Sequence, residues 1–190
     1  MLFTCPADVA RGGRPSPKQR GRRHPCVDVH CHVHYPPADE MVKDVYRRDL
    51  DPNARFSSPL SRTKNQKQMQ NVHACLTSVE QRLRDMDAMG VEVQAISVSP
   101  FQFMYSLDPE FGRKTARATN ENLAEIVQKH PRRFVALANV PLQAPDAAAD
   151  ELEYCVKTLG FRGIEIGTNV AGAEVSRGRD AFRAKRRAKR

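Results

Sequence analysis

From residue 27 onward, short apolar segments alternate with segments whose apolar residues recur at the spacing of a helix. In residues 27–31 the β-branched Val27 and Val29 alternate with the polar Asp28 and His30, a pattern that predicts a first strand. Three further apolar segments, within residues 91–99, 134–140 and 163–167, predict three more strands. Strands separated in this way by helices indicate a parallel sheet with right-handed crossovers, covered by helices.

Start and stop signals delimit three predicted helices between these strands. The first helix begins at a capping box over residues 77–80 and ends at Gly90, which suits a left-handed C-terminal position. The second ends at Pro131, and the third begins at Pro145. Residues 33–76 are polar and rich in turn-forming residues, so we expect a long loop there that serves as a lid or binding loop.

The element pattern leaves two architectures open and defines three segments. Four strands fit either a small open α/β sheet or the first half of a (β/α)8 barrel, which typically needs about 250 residues. No glycine-rich phosphate-binding motif follows any predicted strand, which argues against a nucleotide-binding fold. We expect a disordered basic leader over residues 1–25, an α/β body over 26–172 and a basic tail over 173–190.

The positive charge of the chain is concentrated in its two ends. The sequence has 31 Lys and Arg against 22 Asp and Glu, a formal net charge of +9. Residues 1–25 hold six basic residues and one acid, and residues 177–190 hold eight and one, so the remainder is slightly acidic. This distribution argues against a nucleic-acid interface on the body and leaves binding through the arginine-rich tails as a minor alternative.

Hydropathy and cysteine usage predict a cytoplasmic protein without a membrane partner. The sequence has no apolar run long enough for a transmembrane helix, and the first 25 residues lack the apolar core of a signal peptide. The five cysteines are scattered and show no CxxC spacing: Cys5, Cys26, Cys31, Cys75 and Cys155. This pattern is typical of reduced thiols.

The most informative motif is the pair His30 and His32 at the end of the first predicted strand. Because strand side chains alternate, both imidazoles should point to the same side, where they can bind one divalent metal if other strands add ligands. The alternative is two surface histidines at a strand end. Asp28 is expected either to support a histidine ligand or to cap the neighbouring backbone. His34 either continues the alternation as a third ligand or lies in the loop.

Beyond this motif, the chain resembles the amidohydrolase superfamily and, within it, the aminocarboxymuconate-semialdehyde decarboxylase family. The HxH motif is the superfamily signature, and the resemblance covers about residues 27–172. The closer match is carried by residues 82–87, 90–91, 122–124, 131–135, 141–145, 160–161 and 166–168, with Pro100, Phe103 and Tyr105.

The resemblance implies a partial (β/α)8 TIM barrel, about the first four β/α units. It implies a metal, usually Zn²⁺, bound by His30 and His32 and by a His and an Asp from later strands, which we expect to lie beyond the end of this chain. The acid–base residue is expected there too, so no catalytic residue is assigned. Phe103 and Tyr105 are expected to line the substrate pocket. The family's carboxylate-binding arginine is not assigned among the candidates Arg47, Arg48, Arg55 and Arg62.

The function implied by the resemblance is metal-dependent decarboxylation of a small unsaturated or aromatic carboxylic acid, such as aminocarboxymuconate semialdehyde. A hydrolase of the same superfamily is one alternative. A non-catalytic α/β fragment whose open sheet pairs with another chain is a second, and a homodimer is left open. We expect the chain, as a truncated or frame-shifted form, to be inactive by itself.

Overall fold

The computed structural model describes residues 25–46 and 57–170 and the backbone of residues 173–174. The predicted alternation of strands and helices is confirmed. In chain order the elements are β1 (Val27–Val33), α1 (Pro36–Val42), α2 (Pro59–Thr77), α3 (Val79–Met89), β2 (Val93–Val98), a 3₁₀ turn (Pro100–Gln102), α4 (Pro109–Lys129), β3 (Phe134–Ala138), α5 (Pro145–Lys157), β4 (Gly163–Ile164), β5 (Asn169–Val170) and β6 (Ala173–Glu174).

The first four strands form one parallel sheet in the order β1-β2-β3-β4. Sequential strands are therefore neighbours, and each connection between them carries at least one helix. β5 and β6 form a separate antiparallel pair. The predicted leader and tail lie almost entirely outside the described residues, so their boundaries stay predictions.

One face of the sheet packs against the helices and forms the core. Ile96 of β2 and Phe134 of β3 are at most 1% exposed and belong to one cluster with Met86 of α3 and Leu123 of α4. These side chains occupy the apolar positions that defined the predicted strands and helical stripes. Their burial from water is the main favourable free-energy contribution to this packing.

The predicted loop over residues 33–76 is wrong in part, because it contains α1 and α2. No residue of α2 is buried, so the helix has no apolar stripe that a periodicity search could detect. Its N-terminus does carry a local signal: Ser58 Oγ accepts a hydrogen bond from the Ser61 amide at 3.1 Å, and Pro59 occupies the first helical turn.

The first predicted helix starts one residue later than its capping box suggests. Ser78, not Thr77, is the N-cap of α3, and its Oγ accepts a hydrogen bond from the Gln81 amide at 3.2 Å. Thr77 is the last residue of α2 and donates its hydroxyl proton to the His73 carbonyl at 2.8 Å. Gly90 has φ 70° at the end of α3, as the sequence predicts. None of the helices in the described part of the chain is long and apolar enough to cross a bilayer.

Candidate metal centre

β1 brings His30 and His32 together at its carboxyl end. Asp28 pairs with Gln94 and Cys31 with Ile96, so β1 holds one extra residue between these two pairs. Asp28 Oδ1 accepts a hydrogen bond from the His30 amide at 3.2 Å across this bulge, which is the backbone-capping alternative for Asp28. The two imidazole centroids lie 4.7 Å apart in a T-shaped arrangement. The rings therefore share one side of the strand, as alternation alone suggested.

Glu165, the residue after β4, completes a cluster with these histidines. Its Oε1 lies 3.9 Å from His32 Nε2, and both side chains are 21% exposed. One donor atom from each of His30, His32 and Glu165 lies within 4.8 Å of the others. Sequence reasoning did not select Glu165, although a carboxylate at the carboxyl end of a predicted parallel strand was a signal that could have found it.

Ser97 of β2 connects the carboxylate to His32. Its hydroxyl donates to Glu165 Oε2, and its Oγ lies 3.2 Å from His32 Nδ1. A hydroxyl has one proton to donate. Because Ser97 donates it in the hydrogen bond to the carboxylate, its Oγ accepts a hydrogen bond from Nδ1–H of a neutral His32. The lone pair of His32 is then on Nε2, which is the nitrogen facing Glu165.

Burial determines the electrostatics of this cluster. Burial lowers the pKa of His32 and the nearby His30 lowers it further, whereas the Glu165 carboxylate raises it in part. The net depression favours the neutral imidazole, the form that binds metals. Burial also raises the pKa of Tyr105 to about 12, and the Glu165 carboxylate contributes to that rise. Tyr105 is therefore a neutral phenol at physiological pH.

Arg82 of α3 supports the end of β1 from the helical side. Its side chain is 8% exposed and donates to the His32 carbonyl, to the Cys75 carbonyl at 3.0 Å and to Gln94 Oε1 at 3.1 Å. These bonds connect α2, α3, β1 and β2 at the histidine pair. Arg82 thus fixes the backbone from which His32 projects.

The predicted pocket residues Phe103 and Tyr105 form a stacked pair next to the residues after β4. Their ring centroids lie 5.4 Å apart with an interplanar angle of 19°. The Tyr105 hydroxyl accepts a hydrogen bond from the Gly167 amide at 3.4 Å. A Cβ at Gly167 would lie 3.1 Å from the Tyr105 ring, so the absence of a side chain there permits the close approach. Whether the pair contacts a substrate stays a prediction.

Other candidate residues lie apart from this cluster or outside the description. His34 follows β1, and its Nε2 lies 2.8 Å from Asp39 Oδ2 of α1. Of the two positions expected for His34, the structure therefore has the one in the loop. Arg62 is exposed on α2 and donates from Nε to the Ser57 carbonyl at 3.1 Å. The other three loop arginines, Arg47, Arg48 and Arg55, lie outside the described residues.

The donor set fits a divalent transition metal. Two imidazoles and one carboxylate form a combination that suits zinc, manganese and iron, and three protein ligands leave positions open for a small molecule. The carboxyl ends of parallel strands are also where barrel folds place their chemistry. The cluster can therefore hold a metal and present it to a ligand.

Comparison with known proteins gives a consistent set of matches. A family model described as Amidohydrolase matches residues 27–189. The 2-amino-3-carboxymuconate-6-semialdehyde decarboxylase of Dictyostelium discoideum is 33% identical over 91 residues, which are 48% of this chain and 25% of that protein. The gamma-resorcylate decarboxylase of Rhizobium sp. (strain MTP-10005) is 42% identical over 91 residues, which are 48% of this chain and 28% of that protein.

A solved structure with the same α/β arrangement is that of a dihydroxybenzoic acid decarboxylase from Polaromonas sp. JS666, with bound manganese and the inhibitor 2-nitroresorcinol. It aligns with a TM-score of 0.56 at 30% identity, over 74% of this chain and 37% of that chain. The matched regions thus span well under half the length of each of these relatives.

Proposed function

Because the chain belongs to the amidohydrolase family, we propose that it carries the metal-binding part of a metal-dependent decarboxylase for small aromatic or unsaturated carboxylic acids. Membership over residues 27–189 confirms the predicted resemblance. The predicted fold class, about the first four β/α units of a (β/α)8 barrel, is confirmed as well. The observation that carries the functional proposal is the convergence of His30, His32 and Glu165 at the carboxyl ends of the strands.

In this proposal His30 and His32 are metal ligands. Their ring centroids lie 4.7 Å apart, and the depressed pKa of His32 keeps its Nε2 lone pair available. A divalent metal held by these residues supplies positive charge that binds and polarises the oxygens of a carboxylate or phenol. The protein's own contribution is to fix the His32 imidazole, through Ser97 on the ring and Arg82 on the backbone.

The stacked pair Phe103 and Tyr105 supports a planar substrate. Aromatic rings bind other planar rings by offset stacking, and the pair lies beside the residues that follow β4. In the proposed reaction the bond between the ring and its carboxylate carbon breaks, CO₂ leaves, and a proton takes its place on the ring carbon. The neutral Tyr105 phenol is a hydrogen-bonding group for a substrate oxygen in this arrangement.

Metal identity, compartment and oligomeric state extend the proposal. The manganese of the Polaromonas decarboxylase and the His-rich donor set support a divalent metal, with zinc or manganese as the ions to test. The scattered free thiols support a reducing compartment, and we propose the cytoplasm. A homodimer remains part of the proposal for the assembled enzyme.

Substrate binding to the full 190-residue chain tests the proposal. The proton NMR signals of gamma-resorcylate are recorded with chain that is stripped of metal, and again after one equivalent of Mn²⁺. We expect paramagnetic broadening of the ligand signals with wild type that differs from the broadening in a protein-free Mn²⁺ sample, and only the protein-free level in His32→Ala. The matched control is His73→Ala, because His73 is exposed on α2 and lies outside the cluster.

Equal broadening in wild type and His32→Ala would overturn the proposal. Carboxyl-labelled gamma-resorcylate in the same samples reports any metal-dependent release of labelled bicarbonate. Cleavage of an ester or lactone by water, without that release, would favour the hydrolase alternative. A metal-free obligate oligomer that binds no carboxylate would favour the non-catalytic fragment.

A further inference from the structure

We propose that Glu165 is a third metal ligand of this site and that Ser97 is the residue that positions it together with His32. This inference rests on the proposed function, since it concerns the same metal. It adds that β4 completes a three-ligand site within this chain. The carboxylate is therefore assigned a role that neither the HxH motif nor the matched proteins' names supply.

The first argument is the position of the carboxylate oxygen. Glu165 Oε1 lies 3.9 Å from His32 Nε2, on the side where the cluster also contains a ring nitrogen of His30. Two ligand atoms bound to one ion at about 2.1 Å cannot be more than roughly 4.2 Å apart. The His32–Glu165 separation already lies within this limit. A carboxylate oxygen facing two imidazoles completes the donor set of the 2-His-1-carboxylate type.

The second argument is the charge of Glu165. Its side chain is 21% exposed, and no Lys or Arg of the described residues lies within ion-pair distance of it; His32 is its only such neighbour there. Glu151, a buried carboxylate of α5, is by contrast bound by Arg117 at 2.8 Å. A carboxylate with reduced hydration is costly unless a positive charge compensates it. A divalent cation between Glu165 and the histidines supplies that charge.

The third argument is the hydrogen bonding of Ser97. This side chain is 1% exposed and has one proton, which it donates to Glu165 Oε2. That bond leaves Oε1 as the ligating oxygen. By accepting from His32 Nδ1–H, the same hydroxyl directs the lone pair of His32 toward Oε1. A single buried residue thus orients two ligands from strands that are not neighbours.

Metal titration of the full chain tests this assignment without any enzyme assay. Zn²⁺ is titrated against a chromophoric chelator, and Co²⁺ alone is used for the visible spectrum, which reports the ligand set. The variants are His32→Ala, Glu165→Gln and Ser97→Ala. Glu125→Gln is the matched control, because Glu125 is 65% exposed on α4 and far outside the cluster. Circular dichroism of the metal-free variants verifies that each one folds.

We expect Ser97→Ala to weaken Zn²⁺ binding about 10–100-fold, as is typical for groups that orient a ligand, and Glu165→Gln to weaken it by at least as much. Both should alter the Co²⁺ spectrum, while Glu125→Gln should leave affinity and spectrum unchanged. If His32→Ala abolishes binding but Glu165→Gln retains the wild-type affinity and spectrum, the third ligand is refuted and the two-histidine site stands. If wild type binds Zn²⁺ no better than His32→Ala, both proposals fail.

Discussion

His32 and Glu165 lie 3.9 Å apart although they belong to opposite edges of the four-stranded sheet. β1 and β4 are separated by three strand spacings, which in a flat sheet would amount to about 14 Å. That the side chains from the two edges nevertheless meet indicates that the sheet curves toward the side from which they project. This convergence is what a partial barrel provides and an open flat sheet does not.

Metal binding should stabilise the fold, because the proposed ion connects both edges of the sheet. At a Zn²⁺ concentration 100-fold above Kd we expect about 2.7 kcal/mol, or roughly 5–10 °C in Tm. Thermal melting of the chelator-treated chain with and without Zn²⁺ measures the shift. His32→Ala should show no shift; an equal shift in that variant would mean that the ion binds elsewhere.

Arg82→Met should destabilise the protein by about 3 kcal/mol, because one buried and two partly buried acceptors would lose a charged donor. Those acceptors are the His32 and Cys75 carbonyls and Gln94 Oε1. Urea unfolding measures the change in the free energy of unfolding. Arg84→Met is the matched control, since Arg84 is exposed on the same helix and should change stability by less than about 0.5 kcal/mol. Equal losses in both variants would contradict the role assigned to Arg82.

Glu151→Ala should also be costly, by about 3 kcal/mol, because it removes a buried carboxylate that pairs with the partly exposed Arg117 and accepts a hydrogen bond from the buried Asn120 amide. Glu151 is 2% exposed and accepts hydrogen bonds from Arg117 at 2.8 Å and from Asn120 Nδ2 at 2.9 Å. Guanidinium unfolding is the measurement. Glu125→Ala removes a solvent-exposed helix charge from a pair with Lys129 and should cost only about 0.3 kcal/mol. A loss below 1 kcal/mol for Glu151→Ala would disprove the expected coupling.

Cys155 should resist alkylation in the native state. Burial raises the pKa of its thiol to about 12, and the Glu151 carboxylate adds to the rise, so almost no thiolate is present at pH 8. The contribution of this raised pKa to the free energy of unfolding is fully present below the pKa of the unfolded thiol, near 9, and is lost as the pH rises toward 12. Iodoacetamide labelling followed by peptide mass spectrometry should modify the half-buried Cys26 and Cys75 in the native state and Cys155 only in denaturant. Rapid native labelling of Cys155 would refute the burial argument.

Much of the local structure could be predicted from the sequence, because it depends on nearby residues. The period of apolar positions predicted all four sheet strands, Pro145 marked the start of α5, and Gly90 marked the end of α3. α2 was not predicted because it buries no residue and therefore has no apolar face at helical spacing. The N-cap of α3 is Ser78 and not the expected Thr77, because two adjacent hydroxyl residues offer the same local signal.

The sequence by itself determined the alternating α/β order, the histidine pair at the end of β1 and the family resemblance. Alternation along one strand is enough to place His30 beside His32. Only the tertiary structure decided that Ser97 and Glu165 join them. These residues are separated by 65 or more positions from His32, and their meeting depends on strand register and sheet curvature. No local period encodes that curvature, because it arises from the packing of the helices and strands as a whole.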